Sequence, residues 1–168
     1  MTIHETRRLK LIPFTLELKR AVLADKKQLS ELLGNVRAPD TWPGPDIAEA
    51  LPFFISQLEK QPSAPVWDGI IVHKEDQVII GDMGFMGPPD ATGRVEIGYS
   101  IIPEYRNQGY ATEMACHLIA WGLNQSGVTS VVASCSDNNL SSIKVLEKAG
   151  MRRLSPDGNL LKWEIQSS

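Results

Sequence analysis

Apolar and polar positions along the chain fall into short runs of two kinds, alternating or continuous apolar segments and segments with helical spacing. "RRLKLIPF" reads as a first strand. Thr15 can cap a helix in "LELKRAVL", and Asp25 a second in "KKQLSELL", which stops at Gly34. The three prolines of "APDTWPGP" exclude regular structure and predict a stiff loop. "DIAEALPFFISQLEK" has a helical composition, although Pro52 threatens its middle, and the prolines of "QPSAP" end it. "VWDGIIVHK", a turn at "EDQ", and "VIIGDMGFM" predict a β-hairpin, joined through "GPPDATG" to the strand "RVEIGYSII". A helix up to Asn124, the strand "SVVASCS", the helix "SSIKVLEKA" ending at Gly150 and a final strand "LLKWEIQ" complete the order. Antiparallel-looking strands followed by a β-α-β unit predict one α+β domain over residues 1–168, three layers built on one sheet.

Composition narrows the function. A chain of 168 residues with 42% hydrophobic and 22% charged positions can bury a core and is not a disordered chain. Its net charge of −3 argues against a general nucleic-acid binder. No apolar run has the length of a membrane span, and "MTIHETRRLK" lacks the apolar segment of a signal peptide. Two cysteines, Cys116 and Cys135, imply no disulfide framework, which leans cytoplasmic. His4, His73 and His117 are scattered, so no metal site is expected.

One junction carries chemistry. "RNQGYA", residues 106–111, lies between the strand "RVEIGYSII" and the helix "TEMACHLIAWGLNQ". A helix starting near Gly109 leaves its first N–H groups unpaired at the positive end of its dipole, which suits an anion. Gly109 and Ala111 permit close approach, and Arg106 can add a charged donor. The segment lacks the Gly-Lys-Ser/Thr ending of a P-loop and the Gly-x-Gly-x-x-Gly of a dinucleotide fold. Two readings fit its spacing: a phosphate cradle, or an ordinary strand-to-helix turn.

The pattern Arg/Gln-x-x-Gly-x-Gly/Ala resembles the acetyl-CoA pyrophosphate loop of the GNAT N-acetyltransferases. "NLSSIKVLEKAGM", residues 139–151, resembles a second signature, from the branch that holds the ribosomal-protein N-terminal alanine acetyltransferases. The interval between the two suits one helix and one strand. The likeness is strongest from Val95 to Met151 and weakest from Asn35 to Pro65.

The resemblance implies a mixed, mostly antiparallel sheet flanked by helices, with the fourth and fifth core strands splayed around the pantetheine arm of acetyl-CoA. It implies pairing of that arm with the backbone of Ile101 and Ile102 and a hydrogen bond from Asn139, which could also cap its helix. The pyrophosphate would lie on Arg106, Asn107, Gln108, Gly109, Tyr110, Ala111 and Thr112, mainly through the backbone, the side chains of Asn107, Gln108 and Thr112 being solvated or capping. The second substrate would be a primary amine, on a small molecule or a protein N-terminus, acetylated directly in a ternary complex. A non-catalytic acetyl-CoA sensor is the alternative, and an unrelated nucleotide-binding α/β protein a third. The resemblance leaves monomer and homodimer open.

Acetyl transfer needs a neutral amine and often a proton for the departing thiolate. Glu96 resembles the strand glutamate that acts as base in some members; otherwise it is a solvated side chain or a partner of Arg94. On a strand, Glu96, Gly98 and Ser100 share one face, and Ile97, Tyr99 and Ile101 the other. Many members have a tyrosine as acid where this chain has Leu146. Ser142 can take that role by resemblance, or serve as a small capping residue. The acceptor mouth falls in "GNVRAPDTWPGPDIAEALPFF", where Trp42 is a core or lid residue. Asp40, Asp46 and Glu49 could attract a cationic amine there, or simply be solvated.

Overall fold

A computed structural model describes residues 1–168. Two short strands, β1 (His4–Glu5) and β2 (Leu9–Pro13), precede α1 (Leu16–Ala24), α2 (Lys26–Leu32) and α3 (Pro45–Lys60). Then come β3 (Asp68–His73), β4 (Val78–Phe85) and β5 (Arg94–Ile101). A single turn of 3-10 helix (Pro103–Tyr105) leads into α4 (Tyr110–Leu123), followed by β6 (Ser130–Ser136), α5 (Leu140–Lys148), β7 (Arg152–Arg153) and β8 (Leu160–Gln166).

The local signals act as expected. Thr15 Oγ1 accepts from the Leu18 N–H at 3.3 Å, and Asp25 Oδ1 from the Lys27 N–H at 2.9 Å. The Asp25 N–H also closes α1 by donating to Ala21 C=O, so one residue separates two helices. Gly34, at φ +79°, takes the left-handed conformation that stops α2. Pro52 does not break α3. Its missing N–H would have served Ala48 C=O, and both residues lie on the exposed side, where water can satisfy that carbonyl. The first strand is shorter than "RRLKLIPF". Arg7 and Arg8 form the turn before it, and Arg8 is drawn to Glu113 of α4, with Nε 2.7 Å from Oε1.

All eight strands form one sheet in the order β1-β2-β3-β4-β5-β6-β8-β7. Every pairing is antiparallel except β5 with β6. The parallel ladder has three register pairs, Arg94–Ser130, Val95–Val131 and Glu96–Val132, and then stops. Beyond it β5 follows β4 as far as Ile101, while β6 follows β8 as far as Ser136. Each strand obeys its antiparallel partner, and the twist of the sheet opens a wedge between them. This is the splay expected between the fourth and fifth core strands.

β4 is buried at all of its positions, so it is the centre of the sandwich. Its side chains alternate. Phe85 meets Gly122 of α4, placing α4 on the face of Met83 and Phe85. On the opposite face, Asp82 bonds Trp42 of the α2–α3 loop, and Asp68, opposite Gly84, bonds Lys19 of α1. Helices thus cover both faces, giving the three-layer α+β architecture.

Gly84 shows how closely β3 and β4 approach. A Cβ at this position would sit 2.3 Å from the Asp68 Cα and 2.8 Å from the Trp67 carbonyl oxygen, backbone atoms that cannot step aside. Gly84→Ala should therefore destabilise the fold by about 3 kcal/mol, read as a lower urea midpoint at unchanged slope. An unchanged midpoint would contradict the packing described.

Candidate functional site

The wedge leaves one edge of β5 without a strand partner. In an antiparallel ladder the backbone groups of alternate residues face the partner strand. The Ile102 N–H donates to Ile80 C=O at 2.8 Å, and Glu96 C=O accepts from the Met86 N–H at 2.9 Å. The even-numbered residues thus serve β4, and Ile97, Tyr99 and Ile101 turn theirs toward the gap. Ile101 C=O is occupied by Arg106 Nε at 2.8 Å. The two isoleucines therefore differ. Ile101 faces the gap, whereas the Ile102 backbone is committed on both sides, its C=O accepting from the Tyr105 N–H at 3.0 Å. Tyr99, which was not singled out from the sequence for this role, has its backbone on the open edge.

At the wide end of the gap lies the Arg106–Thr112 segment. Asn107 at φ +61° and Gly109 at φ +82° are both left-handed, which bends the chain so that successive N–H groups converge. The N–H groups of Gln108, Gly109, Tyr110, Ala111 and Thr112 donate to nothing within the chain. The first intrahelical bond of α4 is made by Glu113, to Gly109 C=O. The Arg8 guanidinium lies beside Gly109, its Nη2 3.5 Å from where a Cβ would be. Tyr110 turns inward, its hydroxyl 3.0 Å from His73 Nε2 and its ring under the Arg8 guanidinium. Glu113, in the first turn, is held by Thr6 and Arg8, which keep its carboxyl below its usual range against the opposing effect of burial. Its charge is thereby neutralised beside an anion-binding end. The donors fit a diphosphate.

Across the gap, Asn139 caps α5, its Oδ1 accepting from the Ser142 N–H at 3.1 Å. Its capping role is present, and its side-chain amide donors remain free. Ser142, in the first turn of α5, neighbours Tyr99, the phenol of which is buried and makes no hydrogen bond of good geometry. Burial pushes that phenol above its usual range, and the Ser142 hydroxyl partly offsets the push. Leu146, in the position where a tyrosine acid is common, is buried core.

On the face of the sheet covered by α1–α3, Glu96 is exposed and accepts from Ser134 Oγ at 3.0 Å. It is not paired with Arg94, which turns to Glu164 at 3.6 Å. Glu96, Gly98 and Ser100 share this face, and Asp82 pairs with Ser100 in register. Asp82 is only 7% exposed. Its Oδ2 accepts from Trp42 Nε1 at 3.0 Å and from Ser100 Oγ at 3.1 Å. Burial raises its pKa to about 6 despite those two bonds, with Asp68 adding a little. Trp42 is completely buried, so it is a core residue and fastens its loop over Asp82. Asp82 is the group that the sequence reading passed over. The one signal for it was a lone acid inside the apolar run "VIIGDMGFM". Asp40, Asp46 and Glu49 are exposed on the loop and the start of α3.

The chain resembles known proteins over most of its length. The acetyltransferase (GNAT) domain family matches residues 8–152. YjdG of Bacillus subtilis, an uncharacterized N-acetyltransferase, is 37% identical over 151 residues, covering 89% of both chains. Among solved structures, a ribosomal-protein-S5-alanine acetyltransferase of Vibrio fischeri superposes with a TM-score of 0.66 at 14% identity, covering 99% of this chain and 97% of the other. The microcin C7 self-immunity acetyltransferase MccE, solved with acetyl-CoA and AMP, gives 0.62 at 16% identity over 96% and 93%. At such identities the two structures attest the fold alone.

The buried acid makes a stability prediction. A carboxyl with a raised folded pKa binds its proton more tightly in the native state, so stability falls as pH rises through the window from about 4 to about 6. Asp82→Asn mimics the protonated form and keeps an oxygen for Trp42 and Ser100. The variant should match the wild type near pH 4 and exceed it at pH 8 by on the order of 2–3 kcal/mol in urea denaturation. A constant difference across that range would show that Asp82 does not titrate as described.

Proposed function

Because the chain belongs to the GNAT family of N-acetyltransferases, we propose that it transfers the acetyl group of acetyl-CoA directly to a primary amine in a ternary complex. The observation that carries the cofactor assignment is the run of free amides from Gln108 to Thr112, set at the open end of an unpaired strand edge. Those amides would hold the diphosphate, with Arg106 at the rim and Asn107 shaping the bend. The edge at Tyr99 and Ile101, with the free amide of Asn139 opposite, would hold the pantetheine as an added strand is held. Acetyl-CoA, when bound, supplies the activated acyl group.

The protein's own groups supply the rest. Glu96 is accessible and fixed by Ser134, and we assign it removal of the amine proton through a water molecule. Ser142, beside the Tyr99 phenol at the gap, is assigned the proton for the departing thiolate. The acceptor is a primary amine on a small molecule or a short peptide N-terminus. The stiff lip around Trp42, bonded to the sheet through Asp82, suits such an acceptor better than a long peptide.

Acetyl-CoA at about a hundredfold excess over its Kd should raise the melting temperature by roughly 5–10 °C. Gly109→Glu should abolish the rise, because a carboxylate would repel the diphosphate and the position requires a left-handed backbone. Equal protection of both proteins would sink the cofactor assignment. Glu96→Gln should lower turnover mainly at neutral pH, with partial recovery in alkali as free amine accumulates; a wild-type pH profile would remove Glu96 from that role. Ser142→Ala should lower kcat more than acetyl-CoA affinity, whereas a pure loss of affinity would assign the hydroxyl to binding.

A further inference from the structure

The face of the sheet that carries Glu96 holds a trough no assigned role accounts for. Gly84 and Gly98 stand opposite one another in register, so neither strand places a side chain between Glu96 and the Asp82–Ser100 pair. Asp68 and the Trp67 carbonyl wall off the Gly84 side, and over Gly98 lies the Met86 methyl, 2.8 Å from where a Cβ would be, on a side chain that is 70% exposed. One end of the trough is the accessible Glu96 carboxylate. The other is Asp82, more than nine-tenths buried, with Oδ2 saturated by Trp42 and Ser100. Its second oxygen, Oδ1, accepts no hydrogen bond within the chain. Nor is it among the sealed unpartnered polar atoms, which are His4 Nε2, Tyr99 Oη and Trp163 Nε1, so it still reaches the surface.

The charged groups around Asp82 leave it uncompensated. On β3, Asp68 is neutralised by Lys19 of α1, with Nζ 2.9 Å from Oδ2. Lys26 of α2 spends its ammonium on the carbonyls of Pro39 and Trp42. On the turn before α4, Glu104 accepts from Thr41 of the same lip. No cation of the chain meets Asp82 Oδ1. A buried carboxylate held by two neutral donors, with one oxygen open, calls for a cation from outside.

We propose that Asp82 binds the second, non-reacting ammonium of a diamine acceptor, while the amine to be acetylated lies toward Glu96. The proposal rests on the acetyl-transfer reading above and names the acceptor class for it. Glu96 and Ser100 are four residues apart on β5, roughly 13 Å along the strand. A water at Glu96 and the reach of both side chains shorten this to about the span of a five-carbon diamine. Asp82 is thereby a specificity-determining group, and it acts in its charged form. Its grip should weaken below about pH 6, where the carboxyl takes up its proton.

The test compares cadaverine with n-pentylamine, which differs in having one ammonium, as ligands of the protein saturated with CoA. At pH 8, isothermal titration should give the wild type about tenfold or greater preference for cadaverine. That preference should collapse in Asp82→Asn and fall away in the wild type at pH 5. Asp82→Glu should restore part of it. Protection by acetyl-CoA, measured alongside, should be unchanged in every variant. Were Asp82 only an anchor for the Trp42 lip, its substitution would shift melting and leave the ratio of the two affinities unmoved, which would overturn the proposal. Absence of any preference in the wild type would overturn it too, and retained acetyl-CoA protection would show that the cofactor reading survives. In steady-state turnover, Asp82→Asn should raise KM for cadaverine and leave KM for n-pentylamine alone.

Discussion

The molecule depends on one interrupted ladder. β5 and β6 pair in parallel for three residues and then part, because each is bound along its other edge to an antiparallel partner. The interruption leaves a backbone edge of β5 unpaired inside the protein, and a buried edge carries a cost unless something donates to it and accepts from it. Part of that demand is met internally, where Arg106 Nε reaches Ile101 C=O. The rest is available to an extended ligand. The same parting sets the entry point of α4, so the free amides of Gln108–Thr112 open onto the wedge and not onto a strand end closed by side chains.

The two faces of β5 then divide the work. Tyr99 looks toward Ser142 and α5, on the side where a departing thiol would need a proton. Glu96, Gly98 and Ser100 look the other way, onto the face roofed by α1–α3 and the Trp42 lip. Period-two alternation is enough to set the proposed acid and the proposed base on opposite faces of the sheet. Asp82 sits on the second face and costs the native state stability while ionised, since its raised pKa places the unfavourable form at neutral pH. A buried acid kept charged against that cost is what a binding role would explain.

Much of this was legible from residue order. The helix caps at Thr15 and Asp25, the central hairpin, and the strand–turn–helix around Gly109 follow from local chemistry, and the structure has all of them. Pro52 misleads because a helix tolerates a proline where the orphaned carbonyl faces water, and composition does not reveal which way that carbonyl points. β1 and β7, of two residues each, are too short to show any period. Features of the candidate site were legible where backbone geometry decides them, as with the free amides of Gln108–Thr112. They were illegible where long-range register decides: the commitment of Ile102 to β4, the nearness of Tyr99 to Ser142, and the meeting of Asp82 with Ser100 and Trp42 depend on pairings between segments far apart in the chain.

Amide hydrogen exchange with and without CoA examines the interrupted ladder most directly, because it reports on the backbone groups themselves. The expected result is slowed exchange on adding CoA at Gln108 to Thr112 and along the gap-facing edge of β5 at Tyr99 and Ile101, with little change at the β4-facing amides of Ser100 and Ile102. Protection confined to another part of the chain, or none at saturating CoA, would contradict the assignment of the wedge as the cofactor site.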